Sequence, residues 1–273
     1  MNGSLTMSVL ETDLPHSENV SEDLFLGDAL IVRQPRGGYR AGTDAVLLAA
    51  TLAPEFIGEE TVLDVGSGVG VVGLCVAVRC PGARVVLLER ESKLAALARH
   101  NVDRNNLSAR VSVVETDISR ATCALDAAAI ASETFAFVLA NPPYHEAGRS
   151  TAAGNHLRAA SHQMPQDALE IWARFMNRMA APGGRAAMIH KVEALPRILS
   201  AFEGRFGGLS VLPIHARADE SAIRVIVSGI KGSRAPISIK PGLVLHGPDQ
   251  AFLPEIEAVF RHGAALPSQI GGR

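Results

Sequence analysis

A buried strand that runs directly into a glycine-rich loop and then a helix constrains this chain more than any other feature. The strand is predicted over Thr61 to Val65, the loop reads GSGVG from Gly66 to Gly70, and the helix is predicted over Val69 to Arg79. Glycines let backbone N–H groups approach a ligand closely, and the positive end of a helix favours the ligand's carboxylate or phosphate. This unit opens an α/β fold of the dinucleotide-binding type, in which ligands bind at the carboxyl ends of parallel strands.

Strands and helices alternate along most of the remaining chain, as expected for one α/β domain over residues 24–273. Further strands are predicted over 84–88, 110–114, 135–140 and 186–190, with helices over 45–53, 92–101, 120–132, 166–179 and 196–202. Strands over 209–214 and 222–230 could pair antiparallel, and a hairpin around Gly27 and Asp28 precedes the sheet. Thr43 or Asp44 could cap the first helix. We expect residues 1–23 to be a flexible tail and the chain from about Ser233 to be a C-terminal extension.

Two acids follow neighbouring strands of this pattern. Glu89 comes 19 residues after Gly70, where a carboxylate can accept both hydroxyl protons of a ribose. Asp117, with Ile118 beside it, follows the next predicted strand. A surface acid at a strand end is the alternative for Glu89, but the spacing favours ribose.

The glycine loop admits a second interpretation, because Gly68, Gly70 and Gly73 also have the GxGxxG spacing of nicotinamide enzymes. The register argues against that cofactor: Asp64 stands within the strand and Gly66 follows the strand immediately. The sequence also shows no Tyr/Lys or His/Asp pair for hydride transfer.

The tetrapeptide NPPY follows the apolar run Phe135 to Ala140. Asn141 offers a side-chain amide, and the carbonyl of Pro142 precedes Pro143, which has no N–H. A planar NH2 group could donate one hydrogen to the Asn141 side-chain oxygen and the other to the Pro142 carbonyl, while its ring stacks on Tyr144. Asn-Pro also opens ordinary turns. The position after a fourth strand, where such folds bind ligands, favours a site.

Composition excludes several classes of protein. The chain is 47% hydrophobic, enough for a packed core, and its longest uncharged apolar stretch has 14 residues with four glycines, too short to span a bilayer. Three cysteines without CxxC or Cys/His ligand spacing indicate neither a disulfide framework nor a metal site. The N-terminus lacks a basic region followed by an apolar core, so we expect a cytoplasmic protein.

The net charge of −2 gives no overall indication of nucleic-acid binding, but the distribution of charge does. Residues 29–43, 147–166 and 221–248 contain basic residues and no acid. Clustering on solvated faces explains any one of them, whereas three such stretches, one directly after NPPY, favour a phosphate-facing rim. The predicted substrate contacts in this rim are Arg149, Lys231 and Arg234.

The glycine loop and the two acids resemble the cofactor site of class I S-adenosylmethionine-dependent methyltransferases. NPPY is similar to the motif that these enzymes carry when they methylate a planar exocyclic or amide nitrogen. The resemblance implies a Rossmann-like fold with a mostly parallel seven-stranded sheet and helices on both faces. The cofactor-binding residues that it implies are Asp64, Gly66, Ser67, Gly68, Glu89, Asp117, Ile118 and Asn141.

The stretches GYRAGTDAVLLAA, NPPYH, PGGR, FGGLSVLPIH, IRVIV and KGSRAP together resemble the bacterial family of valine-tRNA adenine-N6 methyltransferases. This resemblance covers roughly residues 23–266. It implies that Arg40, Thr43 and Asp44 lie near the methionine end of the cofactor and that His145, after NPPY, lies near the target base. The expected activity is methyl transfer to adenine N6 in a tRNA.

Four other functions remain open at this stage. NPPYH is close to the NPPFH of ribosomal-RNA guanine-N2 methyltransferases, and NPPY also occurs in enzymes that methylate a glutamine of release factors. A non-catalytic RNA-binding module that keeps the fold is a third possibility, and a nicotinamide oxidoreductase is a fourth.

Overall fold

The computed structural model describes residues 19–37, 40–52, 59–119, 125, 130–144 and 168–267. Within them the strands are β1 (Val20–Phe25), β2 (Leu30–Pro35), β3 (Thr61–Val65), β4 (Arg84–Glu89), β5 (Val111–Glu115), β6 (Phe135–Ala140), β7 (Ala180–Lys191), β8 (Phe206–His215), β9 (Ala222–Lys231), β10 (Ser238–Ile239) and β11 (Leu243–Val244). The helices in these residues are α1 (Thr43–Ala50), α2 (Val71–Arg79), α3 (Ser92–Arg104), α4 (Ala168–Met179), α5 (Leu195–Phe202) and α6 (Pro254–His262).

The central sheet has the strand order β10-β8-β9-β7-β6-β3-β4-β5, with β11 also paired to β8. All of its pairings are parallel except those of β9, which runs antiparallel to both β7 and β8. The predicted, mostly parallel sheet and its antiparallel pair are therefore confirmed. Seven of the strands are those that the sequence predicts; β10 and β11 have two residues each, too few to show a period in the sequence.

Helices cover both faces of the sheet, as predicted. Alternate residues of β3 point to opposite faces, so Val62 packs in the core under α1, α2 and α3, whereas Leu63 and Val65 pack under α4 and α5. Burial on both faces explains why the central strands read as continuous apolar runs rather than as alternating patterns. Asp64 lies on the same face as Val62, beneath α2.

The predicted N-terminal hairpin is confirmed, and two asparagines of α3 attach it to the sheet domain. β1 pairs antiparallel with β2. The Asn101 side chain accepts from the Arg33 N–H and donates to the Arg33 carbonyl, and Asn105 does the same with Ile31. These two side chains, one helical turn apart, satisfy backbone groups of β2 as a further strand would.

Two predicted boundaries are wrong. Val20–Asp23 belong to β1, because they pair with β2, so the ordered chain begins before residue 24; the rest of the predicted tail, like most of the predicted helix over 120–132, lies outside the described residues. Neither Thr43 nor Asp44 caps α1. Its N-cap is Gly42, which has no side chain to cap the helix, and the Asp44 carboxylate accepts from Arg224.

None of the helices in the described part of the chain has the length and apolar character needed to cross a membrane. The single-domain organisation stays a prediction.

Candidate active site

The glycine loop leaves an open space beside Gly68. Gly66 and Gly68 have φ angles of +64° and +59°, a region that side chains other than glycine rarely adopt. A Cβ on Gly66 would lie 2.2 Å from the Trp172 ring, whereas a Cβ on Gly68 would meet nothing within 4 Å. Trp172 of α4 therefore closes one side of the loop, and the Gly68 side remains accessible to a ligand.

Asp64 lies under the loop rather than in the accessible space. Its side chain is 1% exposed, and its carboxylate accepts the Gly73 N–H of α2 at 3.0 Å. Burial raises the pKa of Asp64 to about 7, opposed by the Gly73 bond and reinforced by the negative charge of Glu89. The residue joins β3 to α2 and thereby fixes the loop between them.

Glu89 at the end of β4 is held by three backbone donors. Its carboxylate accepts from Gly68 at 2.8 Å, and from Arg90 and Glu91 at 2.9 Å each. Burial raises its pKa, and these three bonds oppose the rise. A carboxylate has about four lone-pair positions, so one remains for a ribose hydroxyl, and a second hydroxyl would have to replace a backbone donor.

Asp117 and Ile118 follow β5, the strand next to β4. The Thr116 N–H donates to the Glu89 carbonyl at 2.9 Å, so this corner sits beside the buried carboxylate. Asp117 accepts from the N–H and the hydroxyl of Ser119 at 2.8 and 2.7 Å, which fixes the turn after the strand. The glycine loop, Glu89 and this corner thus lie at the carboxyl ends of three adjacent strands.

NPPY extends the same edge on the other side of the loop. Ala140 of β6 pairs with Val65 of β3, so Asn141 follows β6 where Gly66 follows β3. The Tyr144 hydroxyl lies 2.8 Å from Oδ1 of Asn141 and 2.6 Å from Oδ2 of Asp44. The last residue of the motif, Tyr144, therefore contacts the first, Asn141, and also contacts Asp44 in the first turn of α1.

Arg224 completes this cluster. Its Nε donates to Oδ2 of Asp44 at 2.9 Å, and its guanidinium carbon lies 5.1 Å from the centroid of the Tyr144 ring, a cation–π contact. The sequence indicates Arg224 only as a member of a basic stretch. Because β9 runs antiparallel to β7, Arg224 pairs with Lys191 at the carboxyl end of β7.

His190 of β7 is a second residue that sequence reasoning missed. Its side chain is buried, and its ring centroid lies 4.9 Å from that of Tyr144 in an edge-on arrangement. Burial is the main cause that lowers the pKa of His190 to about 4; a backbone hydrogen bond with Lys191 opposes the shift, and the charges of Arg197, Lys191 and Arg224 add to it. The imidazole is therefore neutral at pH 7. A lone histidine in a strand gives no signal in the sequence that would distinguish this role.

Several predicted site residues lie away from the cluster or outside the described residues. Arg40 donates to Asp23 and Ser21 of β1 at 2.5 and 2.6 Å, so it braces the hairpin, and Thr43 is exposed at the start of α1. His145 and Arg149 lie outside the described residues.

Lys231 and Arg234 lie near the amino ends of the parallel strands, whereas NPPY lies at their carboxyl ends. The Lys231 ammonium donates to a Glu133 carboxylate oxygen at 2.7 Å and to the Asn177 and Ala180 carbonyls at 2.8 and 2.9 Å. Ala180 pairs with Phe135 at the start of β6, whereas NPPY follows its end. The structure therefore does not bring Lys231 to NPPY, and its ammonium donates to three acceptors within the fold. Arg234 is exposed at this far edge and does not join the cluster.

Residues 40–173 match the family model of the methyltransferase small domain. Curated relatives include the "tRNA1(Val) (adenine(37)-N6)-methyltransferase" proteins of Shewanella amazonensis, 36% identical over 41% of this chain and 44% of that protein, and of Shewanella halifaxensis, 27% identical over 74% of this chain and 80% of that protein. Alignment with the Shewanella baltica relative, 27% identical, spans 59% of this chain and 64% of that protein. The chain thus spans less than two thirds of the length of the first two of these relatives by match, 44% of the Shewanella amazonensis protein and 64% of the Shewanella baltica protein.

Solved structures give the same family at greater coverage. A "predicted O-methyltransferase" from Agrobacterium tumefaciens is 31% identical, with a TM-score of 0.65 over 81% of this chain and 97% of that protein. A "SAM-dependent O-methyltransferase" from Thermotoga maritima, 15% identical with a TM-score of 0.51 over 73% of this chain and 68% of that protein, shows the shared fold. By its sequence, fold and the strand ends that form its site, this chain belongs to the methyltransferase small domain family of class I, S-adenosylmethionine-dependent methyltransferases.

Proposed function

We propose that this protein transfers a methyl group from S-adenosylmethionine to an exocyclic amine of an RNA base, adenine N6 of a tRNA. The observation that carries the proposal is that Asn141 follows β6 directly beside the start of the glycine loop, since Ala140 pairs with Val65, and that Tyr144 bonds Asn141. A group that binds at NPPY would therefore meet a cofactor bound at the loop.

The residues at the strand ends suit S-adenosylmethionine. The open space at Gly68 and the start of α2 suit the carboxylate of its methionine part. The remaining lone-pair position of Glu89 suits a ribose hydroxyl, and Asp117 with Ile118 suits the adenine. Asp64, Gly66 and Ser67 would act by shaping the loop, since Asp64 is buried beneath it. When bound, the cofactor supplies an electrophilic methyl group on a sulfonium.

Asn141 and Pro142 suit an sp2 nitrogen as the methyl acceptor. The lone pair of an exocyclic amine is delocalised into its ring, so the amine attacks poorly unless it is held and oriented. Two acceptors, the Asn141 side-chain oxygen and the Pro142 carbonyl, would hold its two hydrogens, and Tyr144 would stack on its ring. In-line placement then supplies most of the acceleration. The proton leaves the nitrogen after transfer, so no strong base is needed.

Two observations support RNA as the substrate. The relatives from Shewanella are named for adenine 37 of tRNA1(Val). In addition, Lys191, Arg197 and Arg224 all contribute positive potential at His190, beside Tyr144. Cations next to the target site suit the phosphates that flank a base turned out of the RNA. Such a substrate would place the protein in the cytoplasm with the tRNA pool.

The proposal is tested by methyl transfer from labelled S-adenosylmethionine to bulk tRNA, followed by nucleoside analysis. We expect N6-methyladenosine. A product containing N2-methylguanosine would instead favour the guanine enzyme, and label in protein that survives RNase would favour glutamine methylation; either result contradicts the proposal.

The variant Asn141→Ala separates catalysis from binding. We expect kcat to fall about 100-fold or more, because one of the two oriented acceptors is lost. Titration with S-adenosylhomocysteine should show nearly unchanged affinity, which also controls for folding. A variant that keeps full turnover would contradict the proposed chemistry, as would a wild-type protein that binds tRNA but never methylates it.

A further inference from the structure

Tyr144 has one hydroxyl hydrogen and two acceptors within reach. Oδ2 of Asp44 lies at 2.6 Å and Oδ1 of Asn141 at 2.8 Å, but a phenol can donate to only one of them at a time. A carboxylate is the stronger acceptor because it is charged. Donation to Asp44 therefore fixes the Tyr144 hydroxyl against the start of α1.

The Asp44 carboxylate depends on Arg224 for its position. Oδ2 of Asp44 accepts both the Tyr144 hydroxyl and the Nε of Arg224, the latter at 2.9 Å. The side chains of Arg224 and Asp44 are only 26% and 17% exposed, so water screens this pair less than a surface pair. Arg224 is itself held by the Ile223 carbonyl, which accepts from Nη1 at 3.0 Å.

Arg224 also restricts the Tyr144 ring. Its guanidinium carbon lies over the ring at 5.1 Å from the centroid, and the His190 ring contacts Tyr144 edge-on. A base that stacks on Tyr144 must therefore use the face that Arg224 does not cover. Because small displacements of reacting groups cost large factors in rate, a fixed ring matters for in-line transfer.

We infer that Arg224 is a positioning residue for methyl transfer: it holds the Asp44 carboxylate against the Tyr144 hydroxyl and contacts the Tyr144 ring, so that the target base meets a ring of fixed position. The inference rests on the proposed function for its catalytic consequence. Its structural part, the support of Tyr144 by Arg224, does not depend on the identity of the substrate.

The test compares Arg224→Met and Arg224→Lys with the matched control Arg205→Met. Arg205 is also partly buried and bound to a carboxylate, Glu170, but it lies at the opposite edge of the sheet, directly before Phe206, which pairs with Lys231. We expect Arg224→Met to lower kcat about 10- to 100-fold with the KM for S-adenosylmethionine changed less than about 3-fold. Arg224→Lys should have a kcat between those of Arg224→Met and the wild type. Arg205→Met should have the kcat of the wild type.

A second readout does not require activity. The chain has two tyrosines, Tyr39 and Tyr144, so Tyr39→Phe leaves a single signal in protein labelled with carbon-13 at the phenol carbon. We expect the chemical shift of that signal to change in Arg224→Met and to stay at its wild-type value in Arg205→Met.

The two readouts separate failure of the inference from failure of the proposed function. An unshifted Tyr144 signal in Arg224→Met, or an unchanged kcat, overturns the inference while methylation of tRNA by the wild type stands. Conversely, a wild-type protein that methylates no RNA overturns the proposed function, and the Tyr144 signal still decides whether Arg224 holds the ring.

Discussion

At the scale of single residues, Asp64 and His190 are buried groups whose titrations oppose one another. The pKa of Asp64 is raised to about 7 and that of His190 is lowered to about 4, in both cases chiefly by burial. Burial disfavours the charged form of each, which is the carboxylate of Asp64 and the imidazolium of His190. The pH dependence of wild-type stability therefore contains terms of opposite sign, and single variants are needed to separate them.

Asp64→Asn should make the protein more stable at pH 8. The folded-state pKa of about 7 lies above the ordinary value of 3.8, so the folded state binds the proton more tightly. The resulting stability is complete below about pH 4 and is lost as the pH rises through 7. An amide keeps the acceptor for the Gly73 N–H without the charge. We expect a gain of roughly 4 kcal/mol in urea unfolding at pH 8 and none at pH 4. A gain of equal size at both pH values would contradict this origin.

His190→Phe should remove a loss of stability in acid. Here the folded-state pKa of about 4 lies below the ordinary value of 6.5, so the unfolded chain binds the proton more tightly. The wild type therefore loses stability as the pH falls from 6.5 towards 4. Phenylalanine keeps an aromatic contact with Tyr144 and cannot titrate. Between pH 7.5 and pH 5 the wild type should lose about 2 kcal/mol relative to the variant. A constant difference between the two proteins over that range would show that His190 does not cause the loss.

At the scale of elements, the glycine loop depends on a close approach to Trp172 that an added side chain would prevent. The hairpin depends on the side chain of Asn101. In the loop, Gly66 is covered by Trp172 and Gly68 is open, although both have positive φ angles. The same substitution therefore has different consequences at two positions that look equivalent in the sequence.

Gly66→Ala should damage the fold and Gly68→Ala chiefly the binding of the cofactor. A methyl group on Gly66 would stand 2.2 Å from the Trp172 ring, so helix α4 must move. At Gly68 the methyl group meets only the backbone strain of a positive φ, about 1 kcal/mol. It would, however, occupy the space assigned to the ligand. Thermal unfolding and titration with S-adenosylhomocysteine check both. Equal melting temperatures for the two variants would contradict the packing of Trp172 on the loop.

Asn101→Ala should detach the hairpin and weaken the loop together. Asn101 is fully buried and bonds the N–H and carbonyl of Arg33 as well as the Val69 carbonyl. Its removal takes away the partner of the Val69 carbonyl, in a buried bond, and of two part-buried backbone groups of Arg33, a cost of about 3 kcal/mol in urea unfolding. Asn105→Ala is the matched control: it also loses three bonds, but Asn105 is half-exposed, so water can replace them. A larger loss at Asn105 than at Asn101 would contradict this account.

At the scale of the whole molecule, local patterns predict seven strands of the nine-stranded sheet, whereas the arrangement around Tyr144 depends on distant parts of the chain. Local patterns predicted the strand β3, the loop after it and Glu89, because each depends on residues close together in the chain. The support of Tyr144 could not be found in this way. Asp44 is 100 positions from Tyr144 and 180 from Arg224, and no local pattern encodes such a meeting.

The basic residues of the acid-free stretch over 221–248 do not lie on one surface, for a geometric reason. Arg224 and Lys231 belong to one acid-free stretch and one strand, β9. At about 3.3 Å per residue, seven residues separate them by roughly 23 Å, the full height of the sheet. Because β9 runs antiparallel to β7, Arg224 lies at the carboxyl end of β7, where the site is. Lys231 lies at the amino end of β7, on the far side of the sheet. A charge run in a strand therefore does not mark a single surface.

The cations that surround His190 should set the affinity for RNA. We expect Lys191→Ser to weaken tRNA binding and to lower the slope of log affinity against log salt by about one, as for one lost phosphate contact. Arg234→Ser, which removes an exposed charge at the far edge, should change neither quantity. Fluorescence titration of labelled tRNA at several salt concentrations measures both. Equal losses in the two variants would indicate general attraction rather than a rim beside Tyr144.

The direction of β9 also limits how such enzymes can be recombined. The family model ends at residue 173, yet the cation that supports Tyr144 comes from residue 224. A chimera that joins residues 1–173 of this chain to the remainder of a relative would keep the glycine loop, Glu89 and NPPY. We expect its full rate only if the grafted strand also carries an arginine at the position of Arg224. Compatibility between halves thus depends on a single register position that motif matching does not consider.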